Sequence, residues 1–158
     1  EGALPPGEAV LTSRNRNAVL LQPSSTALAN QTGPYTAIMA FTRRPLELPS
    51  AVGLRFRVSA AGALKVTVDS ECMVRFYEND QLLHERQALP AVNDCNDDIP
   101  DDLEVRMDDS YRVSVTVNGA EPVDATFKDP NGLFAGGGID VEVVNTEFAL
   151  LYFLVSQP

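Results

Sequence analysis

The chain has no tryptophan, one histidine and only two cysteines in 158 residues. One imidazole and two separated thiols do not supply a tetrahedral zinc site. There is no C-x-x-C pair, so dithiol redox catalysis is not expected. There is no G-x-S-x-G elbow, and His84 lies beside a turn, so a Ser–His nucleophile has no support. Cations are scarce. Lys+Arg is 12 and Asp+Glu is 22, a net charge of −10. That balance repels phosphate backbones, and no nucleic-acid partner is expected. No apolar run approaches the roughly 18 residues of a membrane-spanning helix, so membrane insertion is not expected either. What is present is a core: 44% of residues are hydrophobic, enough for one domain.

The opening Glu1-Gly2-Ala3-Leu4-Pro5-Pro6-Gly7 reads as an extended lead-in or linker over residues 1–16. A single domain follows over 17–158, with any export signal expected to lie outside the sequence. Two readings of the cysteines compete. Buried free thiols suit a cytosolic protein, and a disulfide suits an oxidising compartment. A Cys72–Cys95 disulfide is the reading adopted. Cys72 opens an apolar strand, whereas Cys95 sits in the polar run Val92-Asn93-Asp94-Cys95-Asn96-Asp97-Asp98. Closing such a loop stabilises by about 3 kcal/mol on the chain-entropy account. The expected location is extracellular or secreted, or the ectodomain of a membrane protein. Asn30-Gln31-Thr32 is a glycosylation triplet of a kind that arises often by chance.

The dominant signal is period two. Tyr111-Arg112-Val113-Ser114-Val115-Thr116-Val117 alternates apolar with polar, as do Leu54 to Val58, Leu64 to Val68 and Leu103 to Met107. Each reads as a strand with one wet face. Phe148 to Val155 is apolar on both faces and reads as a central strand. Tyr35 to Thr42 and Ala18 to Gln22 are further strands. Turns are expected at Ser59-Ala60-Ala61-Gly62, Glu78-Asn79-Asp80-Gln81, Asn118-Gly119 and Asn145-Thr146. About ten short strands with no capped apolar helix stripe predict an all-β fold, an antiparallel β-sandwich or jelly roll.

The pieces Gly53 to Val58, Gly62 to Val68, Met73 to Asn79, Tyr111 to Gly119 (ending in V-N-G), Leu133 to Ile139 and Phe148 to Val155 follow one another in a telling order. Their succession resembles the concanavalin A-like lectin/glucanase superfamily, laminin-G-like modules included. The resemblance implies a concanavalin A-like sandwich and a partner that is a glycan or a cell-surface protein. Retaining glucanases of the superfamily carry E-x-D-x-x-E, which sets two acids about 5 Å apart. The nearest match here, Glu78-Asn79-Asp80-Gln81-Leu82-Leu83, ends in leucine. A non-enzymatic binding module is therefore expected.

Four site readings follow. Asp140 and Glu142 share a strand face at i, i+2, about 6.7 Å apart along the backbone, an acid pair by spacing or a plain solvated face. Asp94, Asn96, Asp97, Asp98 and Asp101 crowd oxygen donors into one loop, a candidate Ca²⁺ site that laminin-G-like modules would permit, or an acidic loop that favours solubility. Arg55, Arg57, Lys65, Arg75, Arg106 and Arg112 recur at outward strand positions. If they share a sheet face, Arg55, Arg57, Arg75 and Arg112 with Tyr77 form a ligand-binding strip, suited to an anionic glycan; otherwise they are ordinary solvated positions with cross-strand partners such as Glu104 and Asp69. Of the tyrosines Tyr35, Tyr77, Tyr111 and Tyr152, parity puts Tyr111 and Tyr152 in the core and leaves Tyr77 exposed. The alternative function is a structural, adhesin or receptor ectodomain that binds protein through its sheet.

Overall fold

The structure, a computed structural model, describes residues 9–12, 19–21, 31–32, 34–88, 95, 99–128 and 136–156. The described chain is strand and turn. The strands are β1 (Ala9–Thr12), β2 (Val19–Leu21), β3 (Gln31–Thr32), β4 (Tyr35–Pro45), β5 (Ala51–Ser59), β6 (Gly62–Asp69), β7 (Met73–Glu78), β8 (Gln81–Gln87), β9 (Asp101–Met107), β10 (Arg112–Val117), β11 (Val123–Thr126), β12 (Gly136–Val144) and β13 (Thr146–Ser156). They form two antiparallel sheets. The first runs β1-β13-β4-β9-β10-β11. The second runs β2-β12-β5-β6-β7-β8, and β3 also pairs with β12.

Period two is what closes the sandwich. In β9, Leu103, Val105 and Met107 are buried while Asp102 and Arg106 are exposed. In β6, Leu64, Val66 and Val68 turn inward. Each sheet thus has one apolar face, and the two faces cover each other. Phe41, Phe56, Phe76 and Phe148 are fully buried, and burying each stabilises by about 1.5–3 kcal/mol. Phe127 packs edge-on against Phe56 with ring centroids 5.6 Å apart. The expected turns form. Asn118 and Gly119 take φ of 49° and 70°, and Asn79 and Asp80 take 49° and 64°, the left-handed pairs that tight hairpins need.

The interior also holds an ion pair. Arg43 Nε lies 2.8 Å from Asp101 Oδ2, and both side chains are almost wholly buried. Arg43 Nη1 donates to the Val68 carbonyl at 2.8 Å, which ties β4 of one sheet to β6 of the other. Asn118 Nδ2 donates to Asp101 Oδ1 at 2.7 Å. Cys72 and Cys95 are joined in a disulfide, as expected from the contrast between their surroundings.

Bulges overturn some parity readings. A register shift falls between Phe56 and Ser59 on β5 and between Gly138 and Ile139 on β12. There Arg57 adopts φ 55° and is only 3% exposed. It turns inward, its guanidinium 5.6 Å from the centre of the Tyr35 ring. Gly137 faces this kink, where a Cβ would lie 2.6 Å from the Arg57 carbonyl carbon. A second shift falls between Leu150 and Tyr152. Before it, Phe148 points in. After it, Phe153 and Val155 do. Tyr152 therefore faces out, 50% exposed, and is not core. Tyr111 is half-buried against the core, with φ 60°. Within the 1–16 lead-in, Ala9–Thr12 are extended, pair with β13 and add a strand to the first sheet.

Arg43→Ala should destabilise the fold by about 3–5 kcal/mol in urea unfolding, because it strands a buried carboxylate. Replacing the pair together, as Arg43→Met with Asp101→Leu, should recover much of the loss. A double variant no better than the single would contradict the assignment.

Candidate functional site

The outer face of the second sheet carries an ordered polar array, and register builds it. Across β12-β5-β6-β7, Asp140, Arg55, Lys65 and Tyr77 lie in one row. Glu142, Gly53, Thr67, Arg75 and Glu85 lie in the next, which reaches β8. Opposite charges meet within and between rows. Lys65 Nζ is 3.1 Å from both Glu142 Oε1 and Asp80 Oδ1, and 4.7 Å from the centre of the Tyr77 ring. Arg75 holds Asp69 at 2.7 Å and Glu85 at 2.9 Å. Asp69 is fixed in turn by the backbone N–H groups of Glu71 and Met73, each at 2.9 Å. At Gly53 a Cβ would come 2.1 Å from the Val66 carbonyl oxygen, so only glycine fits this floor.

Over this array lies a groove of about 610 Å³, lined by Lys65, Thr67, Asp69, Arg75, Tyr77 and Glu142, with Leu48, Pro49 and Ser50 along a rim. The electrostatics make it a set of fixed donors and acceptors. Burial pulls the Lys65 ammonium down, but the Glu142 carboxylate and the hydrogen bond to Asp80 outweigh it and hold Lys65 above its ordinary value. Burial raises the Asp140 carboxyl, and Arg55, at 3.3 Å, only partly offsets that.

The sequence-derived strip does not form as one surface. Arg55, Arg75 and Tyr77 come together here with Lys65. Arg57 is inside the sandwich. Arg106 and Arg112 lie on the outer face of the first sheet, where Arg112 Nη2 binds Asp124 Oδ2 at 2.7 Å and Arg106 pairs with Glu104. They border a separate groove of about 540 Å³ with Pro34, Ser114, Pro122 and Ser156. Tyr35 is buried and offers no platform. His84 is on the exposed edge strand β8, its ring 5.9 Å from that of Phe76. Of the proposed calcium donors, Asp94, Asn96, Asp97 and Asp98 lie outside the described residues, as does Asn30. Asp101 is an interior residue with both oxygens engaged by Arg43 and Asn118, so it does not fit a loop ligand set. Among the described residues no group of three or more His, Cys, Asp or Glu is placed to hold a metal ion. Thr67 and Leu48 escaped the sequence reading, and Asp69 entered it only as a cross-strand partner of the outward cations. Their relation to Lys65 and Arg75 depends on strand register, which no local pattern states.

The fold is an antiparallel β-sandwich of concanavalin A-like, galectin-like architecture. Known structures agree. "Carbohydrate binding module CBM66 from Bacillus subtilis" superposes with a TM-score of 0.69 at 15% identity, over 96% of each chain. The Emp46p carbohydrate recognition domain in its metal-free form gives 0.62 at 12%, over 97% of this chain and 83% of that one. The GH43 protein BlXynB (mutant K247S) from Bacillus licheniformis gives 0.63 at 14%, over 98% of this chain but 34% of that one. At these identities the likeness is one of fold. No protein-family model matches the chain, and no curated protein does.

Asp140 gives a pH test. A carboxyl raised on folding binds its proton more tightly in the folded state. Its contribution to stability is present at acid pH and is lost as pH rises through the raised value. Asp140→Asn should therefore match the parent in thermal melts near pH 3 and melt higher at pH 7. A lower melting temperature at pH 7 would show that the Arg55 pairing outweighs burial.

Proposed function

We propose that this chain is a non-catalytic, extracellular glycan-binding module whose combining site is the groove on the outer face of the second sheet. One observation carries the reading. Lys65, Arg75, Glu142 and Asp69 are locked in ion pairs that project donors and acceptors into a groove bordered by the Tyr77 ring. A sugar presents the complementary surface, hydroxyls around its edge and C–H groups on its faces. Side chains already held by their neighbours bind it without a large ordering penalty. The Cys72–Cys95 disulfide supports an oxidising compartment. The non-catalytic part rests on Asp140 and Glu142. Each is paired with a cation and largely buried, whereas a hydrolytic pair must flank the scissile bond. A second reading, an ectodomain that docks protein through its sheet, draws on the exposed Leu151, Tyr152 and Leu154 of β13.

Titration calorimetry against a polysaccharide panel tests the proposal. Tyr77→Ala should weaken binding about tenfold, in line with the loss of one aromatic contact. Arg112→Ala, on the opposite sheet, should leave it unchanged. Loss in Arg112→Ala with none in Tyr77→Ala would move the site to the first sheet.

A further inference from the structure

We infer that the groove takes a neutral, uncharged glycan segment and not an anionic one, with Leu48 as the apolar wall against which the sugar's C–H face packs. This deepens the glycan reading and rests on it. The lining holds two cations, Lys65 and Arg75, against three acids, Asp69, Glu71 and Glu142. Asp80 and Glu85 add two more acids within reach of the same cations. Neither cation is left with spare charge. Lys65 is shared between two carboxylates, and so is Arg75. A sulfate or uronate entering here would have to displace one of those carboxylates and would meet the others unscreened. A hydroxyl needs no such exchange. It donates to a carboxylate lone pair and accepts from an ammonium or guanidinium proton that the ion pair leaves unused. The array is matched to hydroxyls spaced like those of a sugar ring.

Leu48 is the second observation. It is 73% exposed, the most open large apolar side chain among the described residues, yet it sits on the groove's rim beside Pro49. The rim is held in place from below. Asn145 Nδ2 donates to the Pro49 carbonyl at 2.8 Å, and the Leu46 N–H donates to the Asn145 carbonyl at 2.9 Å. An exposed leucine on an anchored rim gains by covering an apolar surface, which the C–H face of a neutral sugar provides.

The test uses the full chain and calorimetry at about 50 mM and about 500 mM NaCl, ionic strengths that bracket strong and weak screening. The neutral probes are a β-glucan, a galactan, a mannan and a fructan. The anionic probes are alginate and heparin. The expected result is binding to a neutral polymer with an affinity that salt barely changes, since no charge pairing is made on binding. Leu48→Ala should weaken that binding roughly five- to tenfold with an unchanged melting temperature, because the side chain is exposed. Salt-sensitive binding to alginate or heparin alone would overturn the inference while leaving the glycan reading intact. Unchanged affinity in Leu48→Ala would overturn the apolar wall. No binding to any probe at millimolar sugar would overturn the glycan reading, and this inference with it.

Discussion

The contact between two apolar sheet faces governs everything else in this molecule. Side chains alternate along a strand, so once one face is committed to the core the other must be wet. The outer face is thus determined by the inner one. β6 shows the coupling directly. Leu64, Val66 and Val68 fill the interior, while Lys65 and Thr67 between them line the groove. The buried Arg43 reaches from the first sheet to the Val68 carbonyl, next to the Asp69 that holds Arg75. The clamp between the sheets and the polar array therefore meet on one strand, at consecutive residues.

The charge network follows from register. Where Arg55, Lys65 and Arg75 share a face with a larger number of acids, pairing is the low-energy arrangement. The β12–β5 ladder sets Asp140 opposite Arg55 and the β7–β8 ladder sets Glu85 opposite Arg75, whereas β5–β6 sets Arg55 beside Lys65, whose carboxylate partners come from the neighbouring row and turn. Such pairs add little stability where they are open to water. Their consequence here is geometric. Lys65 is held by Glu142 and Asp80 and rests on Tyr77. Rigid polar groups around an aromatic ring suit recognition.

Much of the fold was legible in the sequence because alternation is a local property. The strands over 54–58, 64–68, 103–107 and 111–117 and the Asn118-Gly119 hairpin could be read residue by residue. The bulges could not. A bulge is a property of two strands, and one extra residue reverses every parity beyond it. Arg57 and Tyr152 were misplaced for that single reason. Arg112 was misplaced for another, since sequence does not say which sheet a strand joins. The site was legible in part. Arg55, Arg75 and Tyr77 emerged from outward parity and nearness to a turn. The pairing of Lys65 with Glu142, 77 residues away, did not. Asp101 looked like one acid among several in a loop, and only the fold shows that Arg43 draws it inside.

The central claim is that the outer face of the second sheet is the combining surface. Amide chemical-shift mapping during titration with a bound oligosaccharide tests it most directly. The account predicts perturbations at Thr67, Arg75, Tyr77 and Glu142, with the amides of Arg106, Arg112 and Asp124 unmoved. Perturbations centred on Arg106, Arg112 and Asp124 instead would contradict it.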